Sequence, residues 1–94
     1  MEKRVYCISY DLLTPGKDYE SLINAIKSYG VWWHQTGSVW MITSNRSAED
    51  IRDYLMNYLD ENDKIFVIEV VENWGGRGFS KKEYDWVRNC FKQQ

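Results

Sequence analysis

The sequence is poor in the residues that mark metal centres and disulfide frameworks. Its 94 residues include one proline, one histidine and two cysteines. Cys7 and Cys90 lack the close spacing of zinc ligands. Each lies on an apolar stripe, so we expect two buried free thiols.

Long apolar segments are also missing. No apolar run approaches the ~20 residues of a membrane span. Residues Met1–Arg4 lead directly into a strand pattern, without the apolar segment of a signal peptide. We therefore expect a cytoplasmic protein that does not associate with a membrane.

The chain has no large excess of charge. Its net charge of −2 argues against a surface that is basic throughout, as in many nucleic-acid-binding domains. The charge is nevertheless uneven: +1 over residues 1–46, −6 over 47–76 and +3 over 77–94. The basic C-terminal segment could bind an anion or the acidic segment of a second copy. The simpler interpretation is that the acidic and basic segments are two solvent-exposed helix faces.

The pattern of apolar and turn residues predicts one α+β domain over residues 1–94. Four strands are expected, at Arg4–Asp11, Val31–Gln35, Ser38–Thr43 and Lys64–Val71. Three helices are expected: one capped by Asp18 and ending at Tyr29, one capped by Ser47 and ending near Asp60, and one following a capping box at Ser80–Glu83. The order β-α-β-β-α-β over residues 4–71 is the ferredoxin-like arrangement, and residues 72–94 add a glycine-rich link and a helix.

Both faces of the predicted sheet are apolar. In the fourth strand, Phe66 and Ile68 form one side while Ile65 and Val67 form the other. Two core helices cover only one face, so the other needs the C-terminal helix, a second subunit or both. We therefore predict a homodimer.

Asp11 and His34 are the candidate catalytic residues. Asp11 ends the first strand beside a loop, where a carboxylate can bind a hard metal ion or simply cap the loop. A second Asp11 across a twofold axis would supply a further ligand. His34 is a candidate because histidine side chains suit proton transfer, although a half-buried structural histidine is the simpler interpretation.

Four further residues are candidates for ligand or phosphate binding. Arg77 lies between glycines ahead of a helix N-terminus, a position where backbone amides and the guanidinium can bind an anion. The alternative is that the segment is only a flexible connection between strand and helix. The segment is neither a Walker nor a dinucleotide loop. Trp33 and Trp74 can stack on bases or fill the core, and one of the adjacent pair Trp32 and Trp33 must point away from the core helices. Ser38 is most simply a turn residue.

Four short motifs support a family resemblance: Tyr10-Asp11, Tyr29-Gly30, Gln35 followed by Ser38-Val39, and Asp63-Lys64-Ile65. Over roughly residues 4–71 the chain resembles the small CRISPR-associated adaptation subunit and its relatives. Those relatives include the virulence-associated D ribonucleases, and the chain looks closest to stand-alone bacterial and phage proteins of this type. The resemblance implies a ferredoxin-like homodimer in which paired Asp11 residues bind Mg²⁺ or Mn²⁺ for phosphodiester cleavage.

Three functions are consistent with these features. The first is a homodimer that binds nucleic acid or nucleotides and acts as a metal-dependent nuclease. The second is a non-catalytic module that sequesters a nucleotide or inhibits a protein. The third is a structural assembly subunit.

Overall fold

The structure, a computed structural model, describes residues 3–13 and 19–92. Within them the chain forms β1 (Arg4–Asp11), α1 (Glu20–Lys27), β2 (Trp32–Thr36), β3 (Val39–Ser44), α2 (Ala48–Met56), β4 (Lys64–Glu69) and α3 (Lys81–Lys92). The order of elements is the one that the sequence predicts. The predicted cap Asp18 lies outside the described residues.

The four strands form one antiparallel sheet in the order β2-β3-β1-β4. β1 is central, and its Ile8 pairs with Trp40 of β3 and Val67 of β4. β2 and β4 are the edges. The prediction of an α+β fold with a four-stranded antiparallel sheet is confirmed.

Helices α1 and α2 cover the first face of the sheet. Leu22 and Ile26 of α1, together with Ile51 and Leu55 of α2, are fully buried there. They recur at three-to-four residue spacing, which places them on one side of each helix. On the sheet they meet the buried side chains of Tyr6, Ile8, Trp40 and Ile42. This cluster is the main hydrophobic core.

The helix ends follow local sequence signals. The Ser47 hydroxyl accepts a hydrogen bond from the Asp50 amide at 3.1 Å, so Ser47 is the predicted cap of α2. Ser80 and Glu83 exchange the two hydrogen bonds of a capping box ahead of α3, at 2.7 and 3.2 Å. Gly30 follows α1 with a φ of +88°, the left-handed conformation that favours glycine at such a position.

Helix α3 covers part of the second face. Its Val87 and Cys90 are buried, and Trp33 of β2 contacts Phe79 and Trp86 at ring-centroid distances of 5.4 and 6.5 Å. Phe66 and Ile68 of β4 lie on the same face but stay 64% and 47% exposed. The C-terminal helix α3 is therefore one of the two covers that the sequence predicts, the other being a second subunit. It leaves the β4 side of this face exposed.

Candidate functional site

Asp11 and Ser38 lie together at one end of the sheet. Asp11 is exposed at the end of β1, and its register partner on β4 is Lys64. The Tyr10 amide donates a hydrogen bond to the Ser38 carbonyl at 3.3 Å, which holds the β2–β3 turn beside the end of β1. Asp11, Ser38, Lys64 and Phe66 line one shallow depression.

The described residues that line this depression include few metal ligands. The described residues contain no group of three or more His, Cys, Asp or Glu side chains that could hold a metal. Lys64 is opposite Asp11 in the ladder, and its ammonium group disfavours a second cation. Asp11 is thus the one carboxylate among the described residues that line the depression, whereas Mg²⁺ and Mn²⁺ need several oxygen ligands.

Asp63 lies close by in sequence, but its carboxylate is used by the loops. One oxygen accepts hydrogen bonds from the Leu13 amide at 2.9 Å and the Tyr19 hydroxyl at 2.7 Å. The other accepts from the Asp60 amide at 2.9 Å. Asp63 thus ties the segment after β1 to the turn before β4. Sequence reasoning missed this role because both main partners are distant in the chain.

His34 lies on the first face of the sheet, away from Asp11. Its ring stacks on Trp40, and its Nδ1 donates to the Val39 carbonyl at 2.9 Å. Trp40 in turn donates from Nε1 to the Tyr10 hydroxyl at 2.9 Å. Successive side chains of a strand point to opposite faces, so Asp11 faces away from Tyr10. The structure does not bring the two predicted catalytic residues together.

Arg77 is exposed in the segment between β4 and α3. Gly78 beside it has a φ of +91°, a left-handed conformation that a residue with a side chain rarely adopts. Arg77 lines neither the depression at Asp11 nor the cavity described next. Its proposed contact with phosphate stays a prediction.

Trp33 and Trp74 line a single apolar cavity of about 240 Å³ on the second face. The cavity lies between the sheet, α3 and the segment that joins β4 to α3. Trp33 donates from Nε1 to the Glu83 carbonyl at 3.2 Å, and Trp74 stacks on Tyr84 with ring centroids 6.2 Å apart. Trp32 instead contacts Trp40 on the first face. The prediction that one ring of the adjacent pair points away from the core helices is confirmed.

Both cysteines are free thiols. Burial raises the pKa of Cys7, which lines the cavity. Burial, with a smaller contribution from the Glu72 carboxylate, raises the pKa of Cys90 to about 11. Neither thiol is activated as a nucleophile, because activation requires a lowered pKa.

No protein-family model matches this chain, and no solved structure matches it. Among the described residues, no helix has the length and apolar character that a bilayer crossing requires.

Proposed function

We propose that this chain forms a ferredoxin-like homodimer that binds nucleic acid or nucleotides at the Asp11 end of its sheet. The observation that carries the proposal is the position of Phe66. This exposed ring shares a face and a shallow depression with Asp11. A twofold interface that covers Phe66 brings two Asp11 side chains toward each other.

The strand order supports the ferredoxin-like interpretation. β1 and β2 are parallel and separated by β3, while β3 and β4 are parallel and separated by β1. This is the order expected when two β-α-β units interleave to form a split β-α-β sheet. The core helices α1 and α2 pack on the same face.

Exposed apolar surface supports a second copy as the partner. Phe66 and Ile68 are adjacent on the uncovered part of the face, and β4 is an edge strand that pairs on one side only within residues 3–13 and 19–92. Burying these side chains is favourable at ~25 cal/mol per Å² of apolar surface. Phe66 alone carries on the order of 100 Å² of exposed surface, since an aromatic side chain buries 150–250 Å² in full.

A metal-dependent nuclease requires the second copy. The described residues that line the depression include one carboxylate, Asp11, with Lys64 opposite it in the ladder. Two copies of the chain would bring two Asp11 carboxylates. When bound, Mg²⁺ or Mn²⁺ would activate water and offset phosphate charge.

The dimer is tested by size-exclusion chromatography with light scattering. The wild type is expected at twice the 11.3 kDa mass of one chain. Phe66→Glu should give the monomer, because the charge cannot be buried at the interface. Met56→Glu is a matched control, since Met56 is similarly exposed on α2. A monomeric wild type at micromolar concentration removes the proposal.

Ligand binding and cleavage are tested separately. Fluorescence anisotropy with labelled RNA, DNA and nucleotides measures binding, with and without Mn²⁺. Cleavage of the same oligonucleotides is compared between the wild type and Asp11→Asn. Equal cleavage by both proteins removes Asp11 from the mechanism, and the absence of binding to every ligand removes the nucleic-acid function.

The presence of one carboxylate among the described residues that line the depression favours a second candidate, a non-catalytic binding module. In this alternative Asp11 only caps the loop that follows β1, and the protein sequesters a nucleotide or blocks a protein partner. A thermal-shift panel discriminates the two functions. Stabilisation by nucleotides without a divalent metal supports the module, whereas stabilisation by Mn²⁺ that Asp11→Asn abolishes supports the nuclease.

A further inference from the structure

The apolar cavity between the sheet and α3 has walls made largely of aromatic rings. Trp33, Trp74, Phe79, Tyr84 and Phe91 all line it. They come from three separate parts of the fold: β2, the segment after β4, and α3. The sheet adds the sulfur-bearing side chains of Cys7 and Met41.

The rings hold one another in place and leave the cavity open. Tyr84 stacks against Trp74 with planes 12° apart and meets Phe79 edge to face with centroids 5.6 Å apart. A Cβ added to Gly76 would lie 3.1 Å from the Tyr84 ring, so the backbone is already in close contact there. The walls are therefore preformed, as in most sites for small molecules.

The cavity carries no charge among the described residues that line it. Asn73 supplies the only side-chain amide of the lining, at the segment after β4. The nearest basic group, the Arg88 guanidinium, lies 5.9 Å from the Trp74 ring and 6.0 Å from the Tyr84 ring. It is paired with Asp85 at 3.1 Å and is not part of the lining. A phosphate or carboxylate inside the cavity would lose its hydration without gaining a cationic partner from the lining.

We propose that this cavity binds a small, neutral, flat aromatic molecule with two fused rings. A cavity of about 150 Å³ lined by apolar side chains takes up benzene. A cavity of about 240 Å³ then suits roughly nine or ten non-hydrogen atoms, the size of indole or naphthalene. The aromatic walls offer both faces and edges for offset stacking and edge-to-face contacts. The site is separate from the Asp11 depression and does not depend on the proposed nucleic-acid function.

The test is a titration of the ¹⁵N-labelled protein with indole, followed by NMR. The tryptophan Nε1–H signals of Trp33 and Trp74 are expected to shift in a saturable manner, with a dissociation constant on the order of 0.1–1 mM. Indole-3-carboxylate has the same rings with a negative charge, and is expected to bind at least about tenfold more weakly. Adenosine is included as a nucleoside of comparable ring size.

Variants at Cys7 assign the binding to this cavity. Cys7→Phe fills the floor of the cavity and should abolish the indole-induced shifts. Cys7→Ala removes the thiol without adding volume and should retain them. If Cys7→Phe does not fold, contacts between indole protons and Trp33 or Phe79 in nuclear Overhauser spectra of the wild type decide the location.

Several outcomes overturn the proposal. They are an absence of saturable shifts with indole at millimolar concentration, equal affinity for indole-3-carboxylate, and unchanged binding by a folded Cys7→Phe. Binding of adenosine without binding of indole also overturns it. None of these outcomes depends on dimer formation or on cleavage of nucleic acid, so they are distinguishable from failure of the proposed function.

Discussion

The imidazole of His34 lies flat on the indole of Trp40, with ring centroids 3.9 Å apart and planes within 3° of each other. His34 is anchored in this position by its Nδ1 hydrogen bond to Val39. Trp32 completes the group with a tilted contact to Trp40 at 5.3 Å. The only histidine of the chain therefore closes one side of the main core.

Replacement of His34 should destabilise the fold in proportion to the packing lost. We expect His34→Ala to lower the free energy of unfolding by about 1–2 kcal/mol, because both the stack and the hydrogen bond are removed. His34→Phe should lower it by less, since the ring is retained. Urea denaturation measures both, with the exposed neighbour Gln35→Ala as control. Equal stability of His34→Ala and wild type would show that the stack contributes nothing.

Thr43 presents an opposite case, in which a substitution is expected to stabilise. Its side chain is 3% exposed, and its Oγ1 has no hydrogen-bond partner within the part of the chain that the structure describes. Thr43→Val keeps the shape and removes the buried hydroxyl, so the free energy of unfolding should rise by about 1 kcal/mol. Thr36→Val, at an exposed position, should change it by less than about 0.5 kcal/mol. A loss of stability in Thr43→Val contradicts this interpretation.

Asp63 is expected to be among the most sensitive polar residues. Asp63→Ala leaves the Leu13 and Asp60 amides and the Tyr19 hydroxyl without the carboxylate that they now share. Since hydrogen bonds to charged groups are stronger than neutral ones, we expect a loss of about 2–3 kcal/mol. The exposed Glu61→Gln serves as control. Hydrogen exchange should show faster exchange at the Leu13 amide in particular, and unchanged exchange there excludes the role.

Cys90 should make the protein less stable at alkaline pH. Burial raises the pKa of its thiol to about 11 in the folded protein, above the value of 9.0 for a free thiol. The unfolded chain therefore releases this proton first as the pH rises. The stabilisation that the neutral thiol provides is fully present below pH ~9 and is lost as the pH rises to ~11. Its loss lowers the free energy of unfolding by up to about 2 kcal/mol.

Comparison of the wild type with Cys90→Ala separates the effect of the thiol from the titration of the tyrosines. Burial also raises the pKa values of Tyr6 and Tyr29, so they titrate in an overlapping range. The difference in unfolding free energy between wild type and Cys90→Ala should shrink from pH 8.5 to pH 11 as the thiol effect is lost. A difference that stays constant over this range contradicts the assignment.

Local patterns predicted the elements well and their ends less well. The apolar spacing of α2 continues to Tyr58 and Leu59, yet the helix ends at Met56. The following amides bond to carbonyls three residues back, in a tightened turn that still places both side chains against the core. β4 ends at Glu69 although the apolar run continues to Val71, and the Val70 amide still donates a hydrogen bond to the Val5 carbonyl of β1 at 2.9 Å.

Residues that act through long-range contacts were harder to predict. Asp11 and Ser38 lie together because β1 ends at the same end of the sheet as the β2–β3 turn. The order of the elements already indicates this. The cavity at Trp33 and Trp74 depends on how α3 docks, and no periodic pattern specifies that. The hydrogen bonds from the Leu13 amide and the Tyr19 hydroxyl to Asp63 likewise form only when segments far apart in sequence come together.

The central position of β1 has a consequence for how the chain folds. The strands of the β1-α1-β2 unit leave a gap that only β3 fills, and those of the β3-α2-β4 unit leave a gap that only β1 fills. Neither half can therefore complete a ladder alone, and every pairing of β1 closes a long loop first. The two halves should form together in one cooperative step, more slowly than a helical bundle of this size, and separate fragments should acquire stable structure only when mixed.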